Sequence, residues 1–210
     1  MKKYFFWLFT LILLGCSPVQ EQTNPKVYFI QITSSTMPWL EKAITCAEAS
    51  KINLSTTDNP EQADITLRLG EPASPVSNAF EIDKEEILVL ANNENTIQTL
   101  QLSEVQKWFT QPGDQPIEVW AYSDGQDIQQ VFNSKVLQGQ LVLSTARLAV
   151  SPQQMGEVLN QNKNAIGLMT RHWKAGNLRE LYSVKDIPVL ALTKIEPAAP
   201  IKEIISCLQN

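Results

Sequence analysis

Two short polar clusters carry the residue types from which a site could be built. Thr33-Ser34-Ser35-Thr36 lies between an apolar run with Val27, Phe29 and Ile32 and a helical stripe of Trp39, Leu40, Ala43, Ile44 and Ala47. Hydroxyls at a strand end and helix start converge with free backbone N–H groups, where the helix dipole favours negative charge. Such a turn can cradle an anion or a polar ligand. Simple N-capping is the plainer use of the same residues. The second cluster, Ser123-Asp124-Gly125-Gln126-Asp127, precedes a helix through Val131, Phe132 and Val136. Asp124 and Asp127 suit a helix N-terminus, where acids are favoured, better than they suit an acid pair for hydrolysis.

Catalytic patterns are missing. Ser34 and Ser35 have no Gly-x-Ser-x-Gly elbow, and the single histidine, His172, is the only candidate base of that kind. There is no phosphate-binding Walker loop and no dinucleotide fingerprint. His172 has no second histidine and no Cys/Asp cluster at metal spacing, so it reads as a surface or packing residue. The expectation is a protein that is not an enzyme, with no catalytic residue, no cofactor and no metal.

The elements that must position these clusters begin after a targeting segment. Lys2 and Lys3 precede an apolar core of eleven residues, Tyr4 to Leu14, too short to span a bilayer of about 30 Å. Leu13-Leu14-Gly15-Cys16 resembles the bacterial lipobox, which predicts a leader over 1–15 and lipidation of Cys16; an ordinary secretory signal with an incidental cysteine is the alternative. Acyl chains contribute roughly 0.8 kcal/mol per buried CH₂ to membrane attachment. Residues 16–25 are polar, with two prolines, and read as a tether. Lys2 and Lys3 leave with the leader, so 15 of the 17 basic residues remain against 22 acidic ones, a formal −7. No basic run exists, which argues against a nucleic-acid partner. With Cys16 lipidated, Cys46 and Cys207 remain as an even pair in an oxidising compartment, read as a disulfide, with two buried thiols as the alternative.

Further along, Ile52 and Leu54 suggest a strand, and Asp64 to Gly70 alternates cleanly. Ile87 to Leu90 is an unbroken apolar run suited to a strand covered on both faces, and Asn92, Asn93 and Asn95 end it. Ser103 with Gln106 predicts a capping box for a helix carrying Leu102, Val105, Trp108 and Phe109. Pro112-Gly113-Asp114 closes it, and Ile117 to Tyr122 is the next strand. Leu141 to Val150 reads as an extended return, and Ser151-Pro152 starts a helix with Met155, Val158 and Leu159 inward. Ile187 to Thr193 is a strand and Ile201 to Leu208 a last helix.

This order, with the Asn-rich turn, the Leu102-Ser103 helix and the polar loop at Asp124-Gly125, resembles periplasmic solute-binding proteins of the phosphate-importer type. Asn162-Lys163-Asn164-Ala165-Ile166-Gly167 is similar to the family's Asn-x-x-Ala-Ile-Gly strand, and Thr33 to Thr36 falls where its first ligand loop lies. The resemblance covers most of the mature chain. It implies an α/β fold of the type 2 periplasmic-binding-protein kind, with two lobes, the first built from both chain ends. Lobe 1 would comprise 26–82 and 170–210, and lobe 2 would comprise 83–169. The interlobe cleft would hold a small polar molecule or anion, contacted by Ser34, Ser35, Thr36, Arg68, Asp124, Gly125, Gln126 and Asp127. The implied protein is a monomer, lipid-anchored outside the cytoplasm and partnered by an ABC transporter permease. A non-transporting lipoprotein of the same fold, acting as a sensor or interaction module, is the other reading. Gln126, Asp127, Ile128 and Gln129 stand where the family has Ser, Thr and Arg, which implies that ordinary tight phosphate binding is lost.

Overall fold

A strand buried on both faces needs neighbours on each side, and the chain provides them in one mixed sheet. The computed structural model describes residues 26–72, 78–112 and 116–210. The expected leader, Cys16 and the tether lie outside them, as do residues 73–77 and 113–115. In chain order the elements are β1 (Val27–Ile32), a 3-10 turn (Ser34–Trp39), α1 (Leu40–Ala49), β2 (Asn53–Thr56) and β3 (Ile65–Leu69). Then follow β4 (Asn78–Asn92), α2 (Leu102–Thr110), β5 (Glu118–Ala121), α3 (Asp127–Lys135), β6 (Arg147–Leu148) and α4 (Pro152–Gln161). The chain ends with β7 (Ala165–Thr170), a 3-10 turn (Arg171–Trp173), β8 (Leu178–Thr193) and α5 (Ala199–Leu208). No helix among the described residues is long and apolar enough to cross a membrane.

The eight strands form one sheet in the order β2-β1-β3-β8-β4-β7-β5-β6. Its two ends are parallel and its middle is antiparallel. The long strands β4 and β8 run alongside each other for their whole lengths, with register shifts at Glu81/Asp83, Glu85/Ile87 and Val89/Leu90. The chain's return across the sheet is therefore carried by β8, which pairs with Asn92 at its start and Asn78 at its end. Parallel strands β1 and β5 each run into a turn that leads to a helix, and the first turn meets the start of the second helix at the end of β3.

Burial follows the residue pattern. Along β3, Ile65, Leu67 and Leu69 are buried while Thr66 and Arg68 are half-buried, the period of two expected of a strand. All six residues of β7 are buried because β4 and β5 flank it and α4 packs on it. Gly167 allows that packing: a Cβ there would sit 2.5 Å from Met155 Sδ. The start of α4 is as expected, with Ser151 Oγ accepting the Gln154 N–H at 3.2 Å and Pro152 in the first turn.

Several local expectations differ. Leu102, expected on the apolar face of α2, is 40% exposed, and of the expected extended return Leu141–Val150 only Arg147–Leu148 is strand. The cap of α2 lies two residues earlier than Ser103/Gln106: Glu104 accepts the Gln101 N–H at 2.6 Å, and Gln106 instead donates to the Val136 carbonyl. Ile44 is 41% exposed, and Cys46 takes a place in the buried stripe of α1. Strand β8 begins nine residues before the expected Ile187, at Leu178. Its charged residues mask the strand pattern: Arg179 and Glu180 are carried by pairing to the buried part of β4, and Lys185 and Asp186 fall at the register shift. Cys46 and Cys207 are bridged, with Cα atoms 5.8 Å apart, tying α1 to α5. Closing so long a loop contributes about 5 kcal/mol in the chain-entropy description.

Candidate functional site

The turn after β1 is built as a rigid set of donors. Thr33 stays extended and its N–H continues the ladder to the Leu67 carbonyl at 3.2 Å. The Thr36 N–H then bonds back to the Thr33 carbonyl, closing the 3-10 turn. The fully buried Thr36 donates its hydroxyl to the Leu67 carbonyl at 3.0 Å and lies 2.8 Å from Thr33 Oγ1. This leaves the Thr33 and Ser35 hydroxyls pointing across the sheet end toward α3. The Ser34 side chain is exposed, and its carbonyl accepts the Trp173 indole N–H at 3.1 Å.

The turn after β5 is fixed differently. Gln129, fully buried, accepts the Tyr122 N–H at 2.9 Å and donates to Asn133 at 2.7 Å. Asp124 and Gly125 are exposed, and the Asp124 carbonyl accepts from Gln130 at 3.1 Å. Gln126 is the residue before α3, and Asp127 opens that helix.

Asp127 is only 5% exposed. Its Oδ2 accepts from Thr33 Oγ1 at 2.6 Å and from the Leu69 N–H at 2.7 Å. Its Oδ1 accepts from Ser35 Oγ at 2.5 Å and from the Ile128 N–H at 2.8 Å. A carboxylate has about four acceptor positions, and all of them are used. The close approach depends on Gly70, whose φ of +66° disfavours any side chain and whose Cβ would meet Val131 Cγ2 at 2.3 Å. Its N–H is tied to the Pro188 carbonyl at 2.8 Å, which fixes the end of β3.

Arg68 lies beside this buried charge. Burial lowers the pKa of its guanidinium from the ordinary arginine value, and the Asp127 charge works in the opposite direction. Its Nη2 donates to Gln130 Oε1 at 3.0 Å, while its Nε is buried without a partner among the described residues. Arg147, by contrast, is exposed, paired with Glu118 and held over the Trp120 ring.

The turn Arg171–Trp173 braces the back of the donor turn. His172 Nδ1 is 2.7 Å from buried Glu85, and its ring lies 4.6 Å from that of Trp39. Trp39 in turn donates to Asp83 at 3.0 Å. Arg171 forks onto Glu180 with two bonds of 3.0 Å and also bonds Glu86. Side-chain hydrogen bonds from Arg171 and Lys174 hold the Glu180 carboxyl down to about 2. The lone histidine is thus a packing and hydrogen-bonding residue. Among the described residues no three His, Cys, Asp or Glu side chains are grouped to hold a metal ion.

Of the expected contact residues, the structure brings Ser35, Arg68 and Asp127 together. Thr36 is spent on the backbone, and Ser34, Asp124 and Gly125 face outward. Gln126 is partly exposed, with its amide 3.5 Å from the Val150 carbonyl. Thr33, outside the expected contact set, joins the site; its spacing of two from Ser35 is the signal the sequence carries for it. The Leu69 and Ile128 N–H groups had none, because a backbone donor leaves no mark on residue type. The arrangement does one thing chemically: it holds a carboxylate, and that carboxylate belongs to the chain.

No protein-family model and no curated protein matches the sequence. Solved structures do resemble the fold. A protein from Clostridium perfringens assigned as a phosphate ABC transporter substrate-binding protein, with bound phosphate, superposes with a TM-score of 0.70 at 15% identity, over 87% of this chain and 93% of that one. An ABC-type phosphate transport receptor from Vibrio cholerae gives 0.66 at 16% identity, over 87% and 93%. The regulatory domain of CcmR from Synechocystis, in complex with 2-PG, gives 0.65 at 9% identity, over 87% and 95%. These neighbours are binding proteins and a regulatory domain, and the chain has the mixed α/β fold they share, the type 2 periplasmic-binding-protein-like fold.

Proposed function

We propose that this protein is a lipid-anchored, extracytoplasmic module that keeps the solute-binding architecture in a self-closed form. It works through its surface, as an interaction or sensor module, rather than as a carrier of free anions. The observation that carries this reading is the seat of Asp127, whose buried carboxylate takes donors from the turn after β1, from β3 and from its own helix. With residues 26–82 and 170–210 as lobe 1 and 83–169 as lobe 2, the bonds from Thr33, Ser35 and Leu69 staple one lobe to the other. An incoming anion meets a negative charge in its own seat, and unit charges about 4 Å apart repel by ~4 kcal/mol at an effective dielectric near 20. The Leu13-Leu14-Gly15-Cys16 sequence supports the anchor, and the Cys46–Cys207 bridge supports an oxidising compartment.

A carrier handing a small polar molecule or anion to an ABC permease is the second reading. The register shifts along β4 and β8 favour it, because a bulged strand pair is a place where hinge bending can be absorbed. It requires Asp127 to leave its seat. Calorimetry with inorganic phosphate at neutral pH separates the two. The self-closed protein gives no heat of binding, whereas a submicromolar Kd that disappears in Ser35→Ala would establish the carrier. For the anchor, Cys16→Ser should release the protein from membranes or block its maturation. A variant that still fractionates with membranes and is processed normally would remove the lipid from this reading.

A further inference from the structure

We propose that the groups around Asp127 form a carboxylate-binding site for which Asp127 is a ligand tethered by the chain. A small free carboxylate takes the same seat once that side chain is removed. The inference rests on the self-closed reading and names the ligand chemistry of its central site.

The donors are laid out for a planar group with two oxygens. Thr33 and Leu69 address one oxygen, and Ser35 and Ile128 the other, all at 2.5–2.8 Å. Thr33, Ser35 and Leu69 lie outside α3, so they stay in place when the side chain is cut back. Their positions are set by bonds that do not involve Asp127. Thr36 Oγ1 and the Thr33 N–H hold the turn on the Leu67 carbonyl, and the Gly70 N–H holds the strand end on the Pro188 carbonyl. Ser35 is buried, and without Asp127 its hydroxyl keeps only the longer contact with Thr33 Oγ1 at 3.1 Å, while the buried Leu69 N–H loses its acceptor. The Arg68 guanidinium, with its buried Nε unpartnered among the described residues, adds positive charge beside the seat. A tetrahedral dianion brings further oxygens and a second charge to a site whose donors are already matched to two oxygens, and whose cation is engaged with Gln130.

The test is chemical rescue. Thermal unfolding of Asp127→Gly is followed as sodium formate is raised at constant ionic strength against sodium chloride, with wild type and Asp127→Gly/Ser35→Ala alongside. The expected result is a saturable rise in Tm of about 3–6 °C at roughly ten times Kd in Asp127→Gly. The rise should be absent in wild type and reduced in the double variant. If Asp127→Gly does not fold alone, recovery of its folding in formate, together with a formate-dependent Tm in Asp127→Ala, supports the site. No formate response in either variant overturns the proposal, as does an equal response in wild type. Inorganic phosphate binding Asp127→Gly more tightly than formate overturns the carboxylate assignment. Phosphate binding to wild type instead breaks the self-closed reading, so the two failures are distinguishable.

Discussion

The turns that follow β1 and β5 occupy equivalent places, each at the carboxyl end of a parallel strand and each leading to a helix. Their chemistry is opposite. The first offers the Thr33 and Ser35 hydroxyls, braced by Thr36, and with the Leu69 N–H makes a wall of donors. The second exposes Asp124 and Gly125 to solvent and turns one acceptor, Asp127, inward. Two walls of donors would leave buried polar groups calling for a ligand, because unpaired buried groups are costly. One wall of donors and one carboxylate satisfy each other. On the proposed self-closed reading, the chain itself supplies the acceptor that a solute would otherwise bring.

The sharpest way to break the comparison is to remove the acceptor. Asp127→Ala strands the Leu69 N–H, leaves the buried Ser35 hydroxyl only its 3.1 Å contact with Thr33 Oγ1, and leaves Arg68 without the Asp127 charge. It should lower stability by about 3–5 kcal/mol, measured by denaturant unfolding with unchanged m-value. A loss below ~1 kcal/mol would mean that the bonds to Asp127 do not hold the two turns together. Next comes the spacing between the walls. Gly70→Ala adds a methyl group against Val131 at a residue with φ of +66°, and should cost about 2–3 kcal/mol. Ser35 and Asp127 remain intact in that variant, so a small effect would show that their approach does not depend on Gly70.

The brace behind the donor wall has a pH signature. Glu180 is held down to about 2 from an ordinary 4.5, so its pairing with Arg171 and Lys174 contributes fully above pH 4.5 and is lost as pH falls from there through 2. The stability difference between wild type and Glu180→Gln should narrow over that window, as followed by thermal unfolding at stepped pH; a constant difference would contradict it. The smallest effect belongs to the outward side of the second turn. Asp124→Asn should change stability by less than about 0.5 kcal/mol, and a larger change would mean that this exposed residue shares the work of Asp127.

Much of this molecule was legible from residue order. Ile87–Leu90, the alternation of Ile65–Leu69 and the Ser151-Pro152 start of α4 report short-range rules, and the structure follows them. The hydroxyl run at Thr33–Thr36 was recognisable as a donor turn for the same reason. One misreading fell where a distant partner decided: the strand starts at Leu178 rather than Ile187 because β4 pairs with it. Another was local, since Gln101/Glu104, two residues earlier, is the cap of α2 in place of Ser103/Gln106.

The Asp124/Asp127 pair marks the boundary between the two kinds of information. Sequence alone determined that both acids stand at the start of a helix, that hydroxyls crowd the end of β1, and that Cys46 and Cys207 are an even pair. Only the tertiary structure decided that one acid is exposed while the other is buried among those hydroxyls, ninety-odd residues away in the chain. The reason is physical. Helix starts and strand periods depend on neighbours within a few residues, whereas the partner of a buried carboxylate is set by how β3, with Gly70 at its end, brings two separate turns within hydrogen-bonding distance.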